Sequence, residues 1–364
     1  MRLDATMTRR RRGWRRRASL LVAPLIATGP LLSRAPTASA DTSSGFNQPG
    51  NVLIADQFNN RVIEIDRHLN IVWQYGLGPN DFSAQSIIGT NDAERVGDLT
   101  LMAGTGTPPG VVPTCTSTTG CPDNRVILVN PSHKIVWQYG QFGVAGSGPD
   151  QLNTPVQNTF LPNGDVLITD QANERVIEVT PAKQIVWQYG QTGVIGSGPD
   201  QLNNPNSAEL LPNGHILISD ENNNRAIEVT RNHHIVATFT AGGTTSGVAF
   251  SSRLPNGHTL ITDSNNSRIV EVDATDNVVW FYFTNTDPLS NPAPLPTRAV
   301  RLRNGDTLIS DQFNDRVIEV NPAKQIVFHM GTINQPGIGG GLLNAPYDAK
   351  VIGDYTGLTN PGQE

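Results

Sequence analysis

Two positions of a repeated segment carry different chemical groups in different copies, which is the variety that a binding site needs. The copies align on a proline, at Pro155, Pro205, Pro296 and Pro346, for which Val248 stands in once. The second residue after it is Gln157, Ser207, Phe250, Arg298 or Asp348. The fourth is Thr159, Glu209, Ser252, Val300 or Lys350. Arg298 can clamp a carboxylate or sulfate through paired N–H donors, and Asp348 can hold a cation or an amine.

From these positions we predict the ligand-binding residues. They are Gln157, Ser207, Glu209, Arg298, Asp348 and Lys350. If the protein is an enzyme, an acid-base pair would come from the four charged members of this set. A third interpretation is a water-filled channel that binds no ligand. No catalytic residue is assigned.

Five Asp-x-x-Asn-x-Arg units could form a ring of carboxylates that binds cations. They begin at Asp56, Asp170, Asp220, Asp263 and Asp311. In the structural interpretation, Asp and Asn hydrogen-bond the backbone of their own turn while Arg bridges neighbouring strands or blades. Repetition favours this interpretation, because a site usually needs different groups in different copies. No metal and no cofactor is predicted.

An aromatic residue and a glutamate also recur with the repeat. The aromatic is Trp73, Trp137, Trp187, Trp280 or Phe328, and the glutamate is Glu64, Glu178, Glu228, Glu271 or Glu319. An aromatic stripe could bind carbohydrate, but packing between repeats accounts better for a residue on an outer strand. The same reasoning makes the glutamates structural rather than catalytic.

The elements that position these residues are predicted to be propeller blades. The repeated Arg falls at residues 61, 125, 175, 225, 268 and 316, with spacings of 64, 50, 50, 43 and 48. One copy, TPVQNTFLPNGDVLITDQANERVIEVTPAKQIVWQYG, contains four apolar runs separated by Pro-Asn-Gly, Asp-x-x-Asn and Pro-Ala-Lys turns. These runs predict four antiparallel strands, a to d, and few helices. A period of 40 to 50 residues in an all-strand pattern is typical of a β-propeller.

The two ends of the chain are expected to share one blade. The first copy has no convincing strand a, whereas the C-terminal LLNAPYDAKVIGD aligns with the strand-a segments QLNTPVQNTFLPN and QLNNPNSAELLPN. The C-terminal strand, residues 344–352, should therefore pair with the strand at residues 52–55 and close the ring, which removes the exposed edges of an open sheet. The fold class is all-β, a six-bladed propeller.

Histidines are placed away from the end of the channel where propellers usually bind ligands. All seven fall at c-to-d turns, after a-to-b turns or in a strand d: His68, His133, His215, His233, His234, His258 and His329. The d-to-a and b-to-c connections form the opposite face. The chain also carries no P-loop, nucleophile elbow or zinc-protease motif.

The segment GSGPDQLNNPNSAELLPNGHILISDENNNRAIEV, residues 196–229, resembles the NHL repeat. That repeat combines a Gly-rich approach, a Phe-or-Leu-Asn-x-Pro start and Asp-x-x-Asn-x-Arg. The resemblance covers nearly the whole chain after residue 40 and implies a propeller fold. Residues 254–280, LPNGHTLITDSNNSRIVEVDATDNVVW, also resemble repeats of bacterial arylsulfotransferase-like propellers. Zinc amidating lyases, which resemble NHL propellers, and arylsulfotransferases would both need histidines at the channel, where this chain has none.

Residues 1–40 are predicted to be an export signal, and residues 41–364 a single propeller domain. Arg9 to Arg17 is strongly basic, an apolar stretch follows, and Ala38-Ser39-Ala40 fits a cleavage site. The pair Arg16-Arg17 permits twin-arginine as well as Sec export. Without this segment the chain has 17 basic and 31 acidic residues, a net charge of −14 rather than −6. The sequence therefore predicts a secreted or extracytoplasmic monomer with no membrane span after signal removal and no nucleic-acid partner.

The two cysteines of the chain, Cys115 and Cys121, bracket TSTTG inside an insertion in the second blade. In an exported chain this spacing favours a local disulfide that pins a surface loop. A metal site would need ligands that the surrounding Thr, Ser and Gly residues cannot give.

Together these features predict an exported NHL-like propeller that binds a small molecule, a peptide or a cell-surface polymer at the channel mouth. One alternative is an enzyme in the channel, a lyase, hydrolase or arylsulfotransferase. Another is a protein-interaction scaffold that uses the outer rim.

Overall fold

The computed structural model describes residues 45–362, and the predicted export signal lies outside them. These residues form 24 strands in six four-stranded antiparallel sheets, with no α-helix among the described elements. The prediction of a six-bladed all-β propeller is confirmed. None of the helical elements in this range is long and apolar enough to cross a membrane.

Strands are numbered β1–β24 and blades 1–6 in chain order. Blade 1 contains β24 (Pro346–Val351), β1 (Val52–Asp56), β2 (Arg61–Ile65) and β3 (Ile71–Tyr75). Blade 2 contains β4 (Thr90–Val96), β5 (Leu99–Thr107), β6 (Cys121–Val129) and β7 (Ile135–Tyr139). Blade 3 contains β8 (Pro155–Phe160), β9 (Val166–Asp170), β10 (Arg175–Val179) and β11 (Ile185–Tyr189).

The other three blades repeat this order of strands a to d. Blade 4 contains β12 (Pro205–Leu210), β13 (Ile216–Asp220), β14 (Arg225–Val229) and β15 (Ile235–Phe239). Blade 5 contains β16 (Val248–Arg253), β17 (Thr259–Asp263), β18 (Arg268–Val272) and β19 (Val278–Phe283). Blade 6 contains β20 (Arg298–Arg301), β21 (Thr307–Asp311), β22 (Arg316–Val320) and β23 (Ile326–Gly331).

The ring closes within blade 1 as the sequence predicts. The C-terminal β24 pairs antiparallel with β1, and Val52 lies opposite Val351 while Ala55 lies opposite Asp348. An apolar cluster is buried between the sheets of each neighbouring pair of blades. The cluster between blades 6 and 1 includes Ile54, Ile63 and Val317. Closure therefore protects both β1 and β24 from solvent.

The Asp-x-x-Asn-x-Arg units have the structural role that repetition favours. In each of five blades a single-turn 3₁₀ helix joins strands b and c: Gln57–Asn59, Gln171–Asn173, Glu221–Asn223, Ser264–Asn266 and Gln312–Asn314. In blade 1, Asp56 accepts hydrogen bonds from Asn59 Nδ2 and Arg61 Nε, both at 2.7 Å, and from the backbone N–H of Asn344. One carboxylate thus fixes its own b-to-c turn and the segment that leads into strand a of the same blade.

Blade 2 departs from this pattern. Its strands β5 and β6 extend upward into the insertion of residues 108–120, and Asp123 on β6 binds Arg125 and the backbone N–H of Ile88. A Cβ added to Gly104 would lie 2.4 Å from Asp123 Oδ2, so this rearrangement needs glycine there. The Cys115–Cys121 disulfide is formed, which confirms the predicted pairing.

The recurring aromatic residues pack between blades. Trp137, Trp187 and Trp280 donate their indole N–H groups to backbone carbonyls of the next blade, those of Pro181, Arg231 and Pro322. These three interblade contacts thus combine apolar packing with one directional bond.

Candidate ligand site at the upper channel mouth

Strands a of the six blades place two rings of side chains around the channel. The upper ring contains Asp92, Gln157, Ser207, Phe250, Arg298 and Asp348. The lower ring contains Glu94, Thr159, Glu209, Ser252, Val300 and Lys350. Their equivalence is visible in the pairing register, because every member of the lower ring lies opposite a leucine of strand b.

Four charged side chains form one network between blades 1, 2 and 6. Arg298 lies 2.6 Å from Asp92 and 2.5 Å from Asp348, and Lys350 lies 2.7 Å from a carboxylate oxygen of each. The guanidinium also lies over the Phe250 ring, 4.2 Å from its centroid. Two cations thus alternate with two carboxylates, and all four groups are buried.

The remaining predicted residues belong to separate hydrogen-bonded groups. Gln157 donates to Glu209 at 2.8 Å, and the other Glu209 oxygen accepts bonds from the N–H and hydroxyl of Thr359. Ser207 bonds Ser219 at 2.7 Å. The fold therefore brings Arg298, Asp348 and Lys350 together, and Gln157 with Glu209, but leaves Ser207 outside both groups.

The predicted ligand-binding residues do not stand exposed at an open channel mouth, because the fold buries them. Gln157, Ser207, Glu209, Arg298, Asp348 and Lys350 are each at most 8% exposed. Five of them, all but Ser207, contact another member of the set, and further polar side chains lie above them. Removing Arg298 or Asp348 should therefore destabilise the protein, since breaking a buried ion pair leaves an uncompensated charge.

The two carboxylates of the network have opposite pKa shifts. Burial raises the pKa of Asp92 to about 6, although Lys350 and Arg298 oppose this effect. Burial also acts to raise the pKa of Asp348, but Arg298, Lys350 and the N–H of Ala93 outweigh it, so that pKa is lowered. The attraction of the carboxylates raises the pKa of Lys350 despite its burial. Asp92 is therefore the member of the pair that takes up a proton first.

Asp92 and Glu94 complete the rings but were missed by sequence reasoning. The blade 2 copy lacks the proline on which the other copies align, and its insertion disrupts the repeat. A signal was nevertheless present, because Asn-Asp-Ala-Glu at residues 91–94 matches Asn-Ser-Ala-Glu at residues 206–209. Burial raises the pKa of Glu94 well above its usual range.

A third, uppermost layer comes from the 3₁₀ turns and from the first residues of strands a. On one side Gln312 donates to Gln57 at 2.8 Å, and Gln57 donates to Asn91 at 2.7 Å. These three residues are buried.

On the other side, Asn206 of blade 4 connects Glu221 with Tyr347. Asn206 Nδ2 lies 2.8 Å from a Glu221 carboxylate oxygen and 2.9 Å from the Tyr347 hydroxyl, which belongs to blade 1 on the opposite side of the ring. Asn204 also donates to Glu221, at 3.0 Å. Burial raises the pKa of Glu221, and Asn206 and Asn204 partly offset the effect. Glu221, Asn204 and Tyr347 are partly buried, so they are more exposed than Gln312, Gln57 and Asn91 on the first side.

The disulfide loop covers the buried side of this layer. Val112 and Cys115 pack with Phe58, Phe313 and Ala345, which belong to the upper turns of blades 1 and 6. The disulfide loop thus lies over the upper turns of blades 1 and 6.

The lower end of the channel is crossed by the C-terminal segment, residues 354–362. The hydroxyl of Tyr355 donates to the carbonyl of Arg95 in blade 2, and Thr359 binds Glu209 and Leu210 in blade 4. Sequence reasoning did not foresee this segment, which follows strand β24 without repeating any part of a blade.

Several buried polar atoms of the channel have no hydrogen-bond partner among the described residues. They are both amide atoms of Asn158, Arg298 Nη1, Ser252 Oγ and Ser310 Oγ. Such atoms can bind water or polar ligand groups. Within residues 45–362, no group of three His, Cys, Asp or Glu side chains is arranged to hold a metal ion.

Similarity to known proteins is confined to structure. No protein-family model and no curated protein sequence matches this chain. A protein of unknown function from Bacteroides caccae is 14% identical with a TM-score of 0.57, over 82% of this chain and 98% of that one. Virginiamycin B lyase from Staphylococcus aureus is 15% identical with a TM-score of 0.50, over 77% and 80%. A streptogramin B lyase is 12% identical, also with a TM-score of 0.50, over 76% and 78%. At these identities the likeness shows the β-propeller fold alone, and membership of the NHL family stays a prediction.

Proposed function

We propose that this protein is an NHL-like propeller that binds a small molecule, a peptide or a surface polymer at the upper channel mouth. The observation that carries the proposal is the arrangement of the partly buried Glu221, Asn204 and Tyr347 around the buried Asn206. Its groups come from opposite sides of the ring, and Glu221, Asn204 and Tyr347 differ from the residues at equivalent positions of other blades. Such asymmetry suits a site better than a structural repeat does.

The chemistry of this arrangement favours a ligand with hydroxyl, amide or amino groups. Glu221 offers carboxylate lone pairs, Asn204 offers an amide, and Tyr347 offers a hydroxyl and an aromatic face. Beneath them the predicted residues Gln157, Ser207, Glu209, Arg298, Asp348 and Lys350 form the floor of the site. Their mutual bonds hold the upper layer in place, which lowers the entropic cost of binding.

Replacement of Glu221 tests the proposal. A thermal-shift screen of sugars, amino acids and short peptides identifies a ligand for the wild type, and calorimetry then measures its Kd. Glu221→Gln keeps the shape but loses the charge, so we expect the Kd to rise by about tenfold or more. Asp165→Asn removes a carboxylate from the opposite face and should leave the Kd unchanged. Unaltered binding by Glu221→Gln would contradict the proposal.

A second candidate function is catalysis in the channel. It is favoured by the opposite pKa shifts of Asp92 and Asp348, because such pairs divide the roles of acid and base. Two of the similar structures are lyases, and a further structure is a catalytically inactive virginiamycin B lyase in which a histidine is replaced by alanine. All seven histidines of this chain lie in lower-face turns or in strand β23, which favours binding over that kind of chemistry. Mass-spectrometric detection of a product from the screened compounds would favour catalysis instead.

A further inference from the structure

An interblade guanidinium site recurs around the lower half of the ring. The recurring strand-c glutamate of one blade binds an arginine of the next: Glu64 with Arg95 at 2.6 Å, Glu228 with Arg253 at 2.8 Å, Glu271 with Arg301 at 2.9 Å, and Glu178 with Arg231. Blade 2 has Leu128 in place of the glutamate and needs no cation.

Each of these guanidinium groups also lies over an aromatic ring of strand d. The distances from guanidinium carbon to ring centroid are 5.0 Å for Arg95 over Trp73 and 5.2 Å for Arg231 over Trp187. They are 5.1 Å both for Arg253 over Phe239 and for Arg301 over Trp280. A carboxylate and an aromatic face together form a site for a planar cation.

The closure seam, the interface between blades 6 and 1, keeps the glutamate and the aromatic ring of this site but has no arginine on strand a. Glu319 lies opposite Phe328 in the register that places Glu271 opposite Trp280. On strand a, Val351 stands where blades 5 and 6 carry Arg253 and Arg301. Among the described residues, no Lys, Arg or His nitrogen lies within 4.0 Å of the Glu319 carboxylate, which is half-exposed.

One arginine of blade 1 occupies the position equivalent to Arg231 but points elsewhere. Arg67 follows the first residue of its c-to-d turn, as Arg231 does. Its guanidinium lies against Gly50, where an added Cβ would be 2.7 Å from Nη2. A cavity of about 760 Å³ opens at the seam. Its lining includes Glu319, Phe328, Arg67 and Asp354.

The charge beside Glu319 differs from that of the occupied sites of blades 4 and 5, although Asp165 stands at the equivalent position beside Glu178 in blade 3. Beside the glutamate, blades 4 and 5 carry His215 and His258, each 2.7 Å from it, whereas blade 6 carries Asp306. Burial and the Asp306 carboxyl raise the pKa of Glu319, while burial of Glu271 is outweighed by His258 and Arg301, which lower the pKa of that residue. Arg67 and Arg303 also line the seam cavity, but among the described residues neither forms an ion pair with Glu319, unlike the arginines of the occupied sites.

We propose that the seam cavity is a ligand site for a guanidinium group, such as the arginine side chain of a peptide. The ligand's guanidinium pairs with Glu319 and lies over the Phe328 ring, as Arg95 does with Glu64 and Trp73 and as Arg301 does with Glu271 and Trp280. The cavity is larger than a guanidinium group and has room for the backbone of the ligand. This site lies on the lower face and is distinct from the upper channel mouth.

Titration with N-acetyl-L-arginine amide tests the proposal. We expect the wild type to bind it with a Kd on the order of 1 mM, the affinity of a weak single-group contact. The citrulline analogue has the same shape without the charge and should bind at least about tenfold more weakly. Glu319→Gln should weaken binding of the arginine probe to the same extent. Glu271→Gln, at an occupied site, should leave it unchanged.

The competing occupant is Arg67. In Arg67→Ala the probe should bind at least as tightly as in the wild type. Binding by Arg67→Ala with none by the wild type would mean that Arg67 fills the site, and would overturn the proposal. Equal binding of the citrulline analogue, undiminished binding by Glu319→Gln, or absence of binding in both proteins would overturn it as well.

Discussion

At the scale of single residues, the charged network couples the channel to pH. The pKa of Asp92 is about 6 in the folded protein and near 3.8 in the unfolded chain, so between these values the folded state binds more protons. Its contribution to stability is thus present below about pH 4 and lost as the pH rises through about 6. Asp348 acts in the opposite direction, because its lowered pKa stabilises the fold above pH 3.8 and that contribution disappears on further acidification.

Asp92→Asn should therefore remove a pH-dependent loss of stability. Relative to this variant, we expect the wild type to lose up to about 3 kcal/mol of unfolding free energy between pH 4 and pH 6.5. Urea denaturation of both proteins across this range measures the difference. The comparison cancels contributions of other buried aspartates such as Asp311, whose pKa is also raised to about 6. Parallel pH profiles of the two proteins would contradict the assignment.

The sequence predicted which residues line the channel only where the repeat is regular. The alignment on Pro155, Pro205, Pro296 and Pro346 gave correct register positions for all six predicted residues. It could not show that Arg298 and Asp348 are buried, because burial depends on what crosses the channel above them. Asp92 was lost for a different reason: its blade carries the insertion, and the residue pairs in space with partners more than 200 positions away.

At the scale of elements, the disulfide loop is an attached cover rather than part of a blade. Its two cysteines are six positions apart, so the bond closes a short loop and contributes about 2 kcal/mol or less by loop entropy. Yet Cys115 is buried against Phe58 and Phe313, so the loop depends on packing as well as on the bond.

Cys115→Ser with Cys121→Ser should free the loop and leave the ring folded. We expect faster hydrogen exchange at residues 108–120 and around Phe58 and Phe313, because both aromatic residues lose cover, with unchanged exchange in blades 3 to 5. Mass-spectrometric hydrogen exchange on oxidised wild type and the double variant gives this comparison. Free thiols in the purified wild type, or loss of protection throughout the ring, would be inconsistent with a local role.

At the scale of the whole molecule, closure by β24 and obstruction of the lower channel by residues 354–362 are separable. The repeat predicted the closure, since LLNAPYDAKVIGD matches other strands a. It could not predict the path of the final residues, because a segment outside the repeat has no second copy to compare.

Two truncations distinguish the role of β24 from that of residues 354–362. Ending the chain after Gly341 removes β24 and exposes β1, so we expect a sharp fall in melting temperature or a failure to fold. Ending it after Gly353 keeps β24 and removes only the segment below the channel, so the cooperative transition should survive at a lower temperature. Circular dichroism melts of both proteins distinguish the cases. An unchanged melting temperature after the longer truncation would refute closure by β24.

The pairing of β24 with β1 also determines when the ring can close during folding. The pairing of Val52 with Val351 completes blade 1 and joins residues that are far apart in the sequence, so it can form only after β24 has been synthesised. Asp348 and Lys350 arrive on the same strand, and until then Asp92 lacks two of its partners. During synthesis, a chain that still lacks β24 therefore presents an unpaired edge and an unbalanced buried charge, and it stays vulnerable to proteases and aggregation. Only chains that include β24 acquire a protected ring.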